Sequence, residues 1–272
     1  VGAAAVSYRV EEARSRNESA GRLLWIDALR GVAILMVALY HLIFDLDTFG
    51  GYAVDSLSGF WGGFADVSAG MFIFLVGVSL TLSFARAGGY GRFDGSDGRG
   101  LFTKYLRRGA RIFGYGMLIT AVFWVFGLGA VIIGILQLIG LSIVLAYPFL
   151  RLGWANVALG LPLVAAGVAL GAADPSFGGA LPLQVGLAPL GIVPEDLLMP
   201  DYRPLLPWFG VVLSGVASGN LLRGRLPEVR VPKSVSRAAA PLAFLGRHTL
   251  LIYLVHQPVM IALLVVTGVI DL

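Results

Sequence analysis

Asp27, Arg30, His41 and Asp45 share one side of a helix: at 100° per residue they fall at about 0°, 300°, 320° and 0°. The residues between them are mostly apolar, so the stripe lies in a segment fit to cross a bilayer, where facing lipid would cost several kcal/mol. It must look into a protein interior or a water-filled cavity. His41 stands eleven residues after Arg30, about 16 Å along the axis and past mid-membrane. A neutral imidazole there is a general base that needs no buried charge. Asp45, one turn on, is placed to accept a hydrogen bond from one ring nitrogen and leave the other basic. The same spacing also permits a structural hydrogen bond for His41 and an interfacial anchor pair for Asp27 and Arg30.

Further candidates lie downstream. Asp66 opens the second apolar segment near the same outer face, either completing this site or sitting in water. Thr249, Tyr253 and His256 share a face of the last apolar segment, and His256 is a second buried histidine, fit for catalysis or for an interhelical hydrogen bond. Gln137, in a long uncharged stretch, is interhelical glue or a substrate contact. Arg99, Lys104, Arg107, Arg108 and Arg111 carry enough charge to hold phosphates at the inner mouth of a bundle, or only set topology. Arg247 and His248 contact headgroups or bind an anion.

These residues need membrane-spanning elements to position them. The chain has 272 residues, 57% hydrophobic and only 13% charged, and a mean hydropathy of +0.84, against nearer a quarter charged in a soluble domain. Uncharged runs cover Val67 to Ala85, Ile112 to Leu150, Leu152 to Ala173, Pro204 to Leu222 and, apart from His256, Thr249 to Ile270. A spanning helix needs about 20 such residues. The pattern predicts an all-α polytopic membrane bundle of about seven spans. They run near Trp25 to Leu46, Phe64 to Ala85, two within Ile112 to Leu150 turning near Gly127 and Gly129, Trp154 to Ala172, Pro204 to Leu222 and Phe244 to Ile270. Residues 1–23 are polar and read as a cytoplasmic tail, and residues 24–272 as one transmembrane domain. With the N-terminus inside, only Arg203 of the twenty Lys and Arg residues lies outside, which is the distribution the positive-inside rule requires. The Pro- and Gly-rich segment from Asp174 to Arg203 is then external, as a lid or re-entrant loop.

The basic residues therefore mark topology and not a nucleic-acid partner. Cysteine is absent, which excludes disulfides, cysteine-ligated metal and a thiol acyl-enzyme. Three histidines, without an HExxH pair, speak against a metal centre, and no GxxxxGK[ST] phosphate loop is present.

Five stretches together carry a family likeness: DALRGVAILMVALYHLIFDLD from Asp27 to Asp47, ADVSAGMFIFLVGVSLTLS from Ala65 to Ser83, GILQLIG from Gly134 to Gly140, YRPLLPWFG from Tyr202 to Gly210 and FLGRHTLLIYLVHQP from Phe244 to Pro258. In order and spacing they resemble the membrane acyltransferases related to heparan-alpha-glucosaminide N-acetyltransferase, in particular the prokaryotic branch. The resemblance implies an enzyme of the cell membrane that takes acetyl from cytoplasmic acetyl-CoA and passes it to an acceptor on the other side, commonly a sugar amine or hydroxyl. Asp27, Arg30, Asp66, Gln137 and His256 occupy positions that match this pattern, and His41 matches the first-helix histidine of the broader acyltransferase superfamily.

The resulting expectation is a membrane acyltransferase with His41, Asp45, Asp66 and His256 as its catalytic group. His41 is the base, and His256 or Gln137 stabilises the oxyanion. The donor is held by Arg30, Arg107, Arg108, Arg111, Gln137 and Arg247, with a sugar or glycan acceptor, the lipid bilayer as partner and no metal. The rival reading is a transporter or small-molecule binder using the same polar stripe. Acceptor identity and oligomeric state, a homo-oligomer included, stay open.

Overall fold

The computed structural model describes residues 2–91, 95–125, 133–173, 183, 186–192, 201–225 and 232–270. Every regular element among them is helical: α1 (Gly2–Gly50), α2 (Gly59–Arg86), α3 (Gly95–Val125), α4 (Ile135–Leu145), α5 (Ala155–Ala173), α6 (Leu205–Arg225), α7 (Lys233–Arg247) and α8 (Thr249–Val266), with 3₁₀ turns at Tyr147–Arg151 and Ala188–Leu190. Five segments are long and apolar enough to cross a membrane: Leu24–Gly50, Gly59–Arg86, Ala155–Ala173, Leu205–Arg223 and Thr249–Val266. Their outer faces expose large apolar side chains such as Leu35, Leu39, Leu161, Val168, Leu251 and Leu263, the arrangement that lipid rewards and water penalises.

The chain divides into two compact units, Val1–Phe72 with Gly224–Leu272, and Ile73–Arg223. In the first, α1 packs along α7 through small residues: Ala28 on α1 lies against Ala239 and Ala243 on α7. The backbones meet at two glycines. A Cβ at Gly246 would stand 1.7 Å from the Asp27 carbonyl oxygen, and one at Gly31 would stand 2.0 Å from that of Leu242. This contact trades side-chain volume for close helix approach, which is how apolar helices adhere where lipid removes the hydrophobic drive. After His248 the chain continues into α8, which also lies against α1. In the last turn of α1, Asp47 accepts hydrogen bonds from the backbone N–H groups of Val54 (3.3 Å) and Ser56 (2.8 Å), closing the turn toward α2.

In the second unit α6 packs against α2 and α5. Thr81 on α2 donates to the Val216 carbonyl at 3.1 Å, and Gly160 of α5 meets Gly210 of α6 backbone to backbone. Helix α3 pairs with α4 at Gly109 and Gly140. The N-terminus of α4 is held by its neighbours: the Ile135 N–H donates to Asp201 at 3.3 Å, a carboxylate where the helix dipole favours one. Tyr202 beside it donates its hydroxyl to the Ala188 carbonyl at 2.5 Å, and burial pushes its phenol up to about 12, so it stays neutral. A second polar cluster joins Tyr90, whose hydroxyl donates to Asn220 at 2.6 Å, to Arg223 stacked 3.7 Å over its ring. Burial pushes the Tyr90 phenol up against the pull of that guanidinium.

Several elements differ from the sequence expectation. The polar start of the chain continues α1 as one helix of 49 residues, about 74 Å at 1.5 Å per residue. The basic stretch from Arg99 to Arg111, outside the expected spans, is the first half of α3. That leaves α3 a short apolar end, and α4 has only 11 residues, so neither of these two helices is among the five segments apolar and long enough to span. Residues 233–247, expected as inner loop running into the last span, form the separate helix α7. The turn near Gly127 and Gly129 and most of the Asp174 to Arg203 segment lie outside the described residues.

Candidate active site

The polar face of α1 meets the polar face of α8 in the first unit. His41 and His256, both half-buried, bond ring to ring, Nδ1 to Nε2, at 3.0 Å. The Nδ1 of His256 lies 2.7 Å from the Tyr253 carbonyl oxygen one turn back on α8. A carbonyl only accepts, so His256 Nδ1 carries the hydrogen, and in the neutral ring Nε2 is then the acceptor. His41 Nδ1 must be the donor to it, which places the lone pair of His41 on Nε2. A backbone carbonyl thus sets the tautomer of one histidine, and that histidine sets the tautomer of the next. The bond also requires that at most one ring be charged, since two imidazolium rings have no acceptor between them.

One turn along α1, Asp45 is completely buried, and Gln257 Nε2 donates to its Oδ1 at 2.6 Å. The sequence placed Asp45 to orient His41; in the structure its hydrogen bond goes to Gln257, and the group bonded to His41 is His256. Gln257 was not singled out from the sequence. Its only signal there is its place beside His256 in the HQP segment, because a glutamine on an apolar helix gives no indication of the helix it faces.

At the other end of the stripe Arg30 donates to Asp27 at 3.3 Å, an i, i+3 pair at the level where α7 crosses α1. Thr249 is buried and donates to the Gly246 carbonyl at 2.6 Å, tying the start of α8 to the end of α7. Arg247 is exposed in the last turn of α7, where a cation complements the helix C-terminus. Asp66 is exposed on α2.

The remaining predicted residues belong to the second unit. Gln137 is buried with both polar ends engaged: its Oε1 accepts from the Gly134 N–H at 3.2 Å and its Nε2 donates to Thr120 of α3 at 2.9 Å. That is the interhelical-glue arrangement. Lys104, Arg107, Arg108 and Arg111 are exposed and, being spaced i, i+3, i+4 and i+7 on α3, form one basic stripe. A helix sets these charges side by side where a loop would leave them dispersed.

A hydrogen-bonded imidazole pair at the interface of two apolar helices can pass a proton from ring to ring. The family model for the catalytic region of heparan-alpha-glucosaminide N-acetyltransferase matches residues 22–258. The chain belongs to this family. The match takes in both histidines, the basic stripe of α3 and the first part of α8 through Pro258, and it starts where the polar N-terminal stretch ends. No curated protein and no solved structure matches the chain significantly. Family membership makes this protein a membrane acyltransferase, in keeping with its long apolar helices. Among the described residues no group of His, Asp and Glu is arranged to hold a metal ion.

Proposed function

We propose that the protein moves an acetyl group from cytoplasmic acetyl-CoA to an amine or hydroxyl of an amino sugar or glycan on the outer side of the membrane, with His41 as general base. The observation that carries this reading is the bond from His41 to His256 and onward to the Tyr253 carbonyl, which presents His41 Nε2 as the basic atom. The acceptor nitrogen or oxygen attacks the thioester carbonyl carbon and gives its proton to Nε2. The tetrahedral adduct collapses by breaking the C–S bond, and the departing CoA thiolate takes the proton back from His41 Nε2, leaving CoA thiol and a neutral imidazole. Direct transfer needs no covalent enzyme intermediate; an acetyl-His41 is the two-step variant. The test is acetyl transfer by the purified protein from labelled acetyl-CoA to a panel of amino sugars and glycans. Acetylated product on at least one acceptor is the expected result, and CoA-independent uptake of the same sugars into vesicles would replace this reading with transport.

The reading includes seven spans with the N-terminus and residues 1–23 in the cytoplasm, supported by the charge distribution that leaves Arg203 alone outside. The absence of cysteine makes this directly testable. A cysteine introduced at Ser96 should be protected from impermeant maleimide in sealed cells and react after permeabilisation. Labelling from outside in intact cells reverses the orientation.

The donor's phosphates fall to the basic stripe of α3. Neutralising Arg107 and Arg108 together, both to Gln, should raise the KM for acetyl-CoA at least about tenfold, from the loss of two charge-assisted contacts, while kcat changes little. Unchanged CoA affinity in folded protein assigns these arginines to topology alone.

A further inference from the structure

The Asp45–Gln257 contact is half-made. Asp45 Oδ1 accepts from Gln257 Nε2, yet the other oxygen of each group, Asp45 Oδ2 and Gln257 Oε1, is buried without a hydrogen-bond partner. Both orphans are acceptors if the carboxyl is ionised, and each such buried group is unfavourable by itself. One hydrogen resolves both. A carboxylic acid and a primary amide pair through two antiparallel hydrogen bonds, N–H to carbonyl oxygen and O–H to amide oxygen, and the first of these is already present. The surroundings also disfavour a carboxylate. Helix α8 has no Asp, Glu, Lys or Arg along its 18 residues, so its only other titratable groups are Tyr253 and His256. On α1 the nearest titratable neighbours are His41, one turn back, and Asp47, whose oxygens are taken by Val54 and Ser56. On α2 Asp66 is exposed.

We propose that Asp45 and Gln257 form a proton-holding site beside the histidine pair: Asp45 rests as the neutral acid, donating from Oδ2 to Gln257 Oε1, and passes on the proton that His41 removes from an acceptor arriving as an ammonium. In the relay the acid releases its proton outward and becomes a carboxylate, which then takes the proton of the His41 imidazolium. The net change is one proton delivered to the outer water, with His41 neutral and Asp45 protonated again. An amine acceptor that arrives as an ammonium must lose such a proton before it can attack. The relay rests on His41 being the base, whereas the protonated carboxyl does not.

Infrared difference spectroscopy on the full-length protein separates the two. Asp45 should give a protonated-carboxyl C=O band at neutral pH that shifts in D₂O and vanishes in Asp45→Asn, a substitution that keeps both hydrogen bonds to Gln257. In Gln257→Leu the same band should move toward the position of an unbonded acid. No protonated-carboxyl band at neutral pH overturns the site. In acetyl transfer to an amino sugar, Asp45→Asn should slow the steady-state rate at least about tenfold, since a His41 imidazolium still holding the ammonium proton cannot take the second proton as the amine attacks. A normal steady-state rate in Asp45→Asn overturns the relay. A wild-type protein that shows the band but acetylates no acceptor keeps the proton site and refutes the acetyltransferase reading.

Discussion

Replacing His41 by alanine should leave a folded protein that still binds CoA but transfers acetyl at least about a hundredfold more slowly, the usual scale for loss of a general base. The reasoning is positional and chemical together. His41 lies on the polar face of a helix that must cross the membrane, and its ring is held in one tautomer by a bond of 3.0 Å to His256. His256→Ala should show a loss of the same order, because His41 Nδ1–H then has no acceptor to hold its ring and tautomer. The informative measurement is the double variant. If the two histidines act as one device, His41→Ala with His256→Ala should be only slightly slower than His41→Ala alone, far from the product of the two losses. Acidification should lower the wild-type rate, since a proton on His41 Nε2 removes the lone pair that accepts from the substrate, and this dependence should disappear from the residual activity of His41→Ala. Near-normal transfer by folded His41→Ala, alongside an inactive His256→Ala, would transfer the role of base to α8.

The second large effect is structural. Gly246→Ala should destabilise the protein severely, because its Cβ would stand 1.7 Å from the Asp27 carbonyl oxygen and 2.5 Å from the carbonyl carbon. Both are backbone atoms of a helix, so relief requires α1 and α7 to separate. Overpacking a well-fitted contact typically costs about 1–3 kcal/mol and more where backbone must move. The loss extends to activity, since α7 leads through His248 directly into α8 and so sets where His256 meets His41. Thermal unfolding in detergent provides the measurement, and Gly63→Ala the control: a Cβ at Gly63 has nothing within 4 Å, and alanine favours a helix interior over glycine by about 0.5–1 kcal/mol. Gly246→Ala with the stability and activity of Gly63→Ala would mean that the α1–α7 contact does not exist as described.

Much of this protein was legible in the amino-acid sequence because the bilayer imposes a coarse requirement. Long uncharged runs must be helices, since a backbone in lipid has to satisfy its own hydrogen bonds, and this alone places α1, α2, α5, α6 and α8. A helical wheel was enough to find the stripe of Asp27, Arg30, His41 and Asp45, and ordered motifs were enough to find the family. Less regular elements escaped. Helix α7 meets α1 through alanines and glycines, residues too small and too common to read as an interface until the partner backbone is seen where a Cβ would have to stand. The basic first half of α3 was outside the expected spans because charge is the strongest local signal there, yet Leu101, Tyr105 and Gly109, one helical turn apart and all buried, mark its inner face. The site itself was decided by tertiary structure. Periodicity tells which face of a helix is polar but not which other face it meets, so two histidines 215 residues apart in sequence had no visible relation. For the same reason Asp45 pointed to its nearest polar neighbour on α1, when the group that bonds it is Gln257 of α8, brought there by helix packing across the membrane interior.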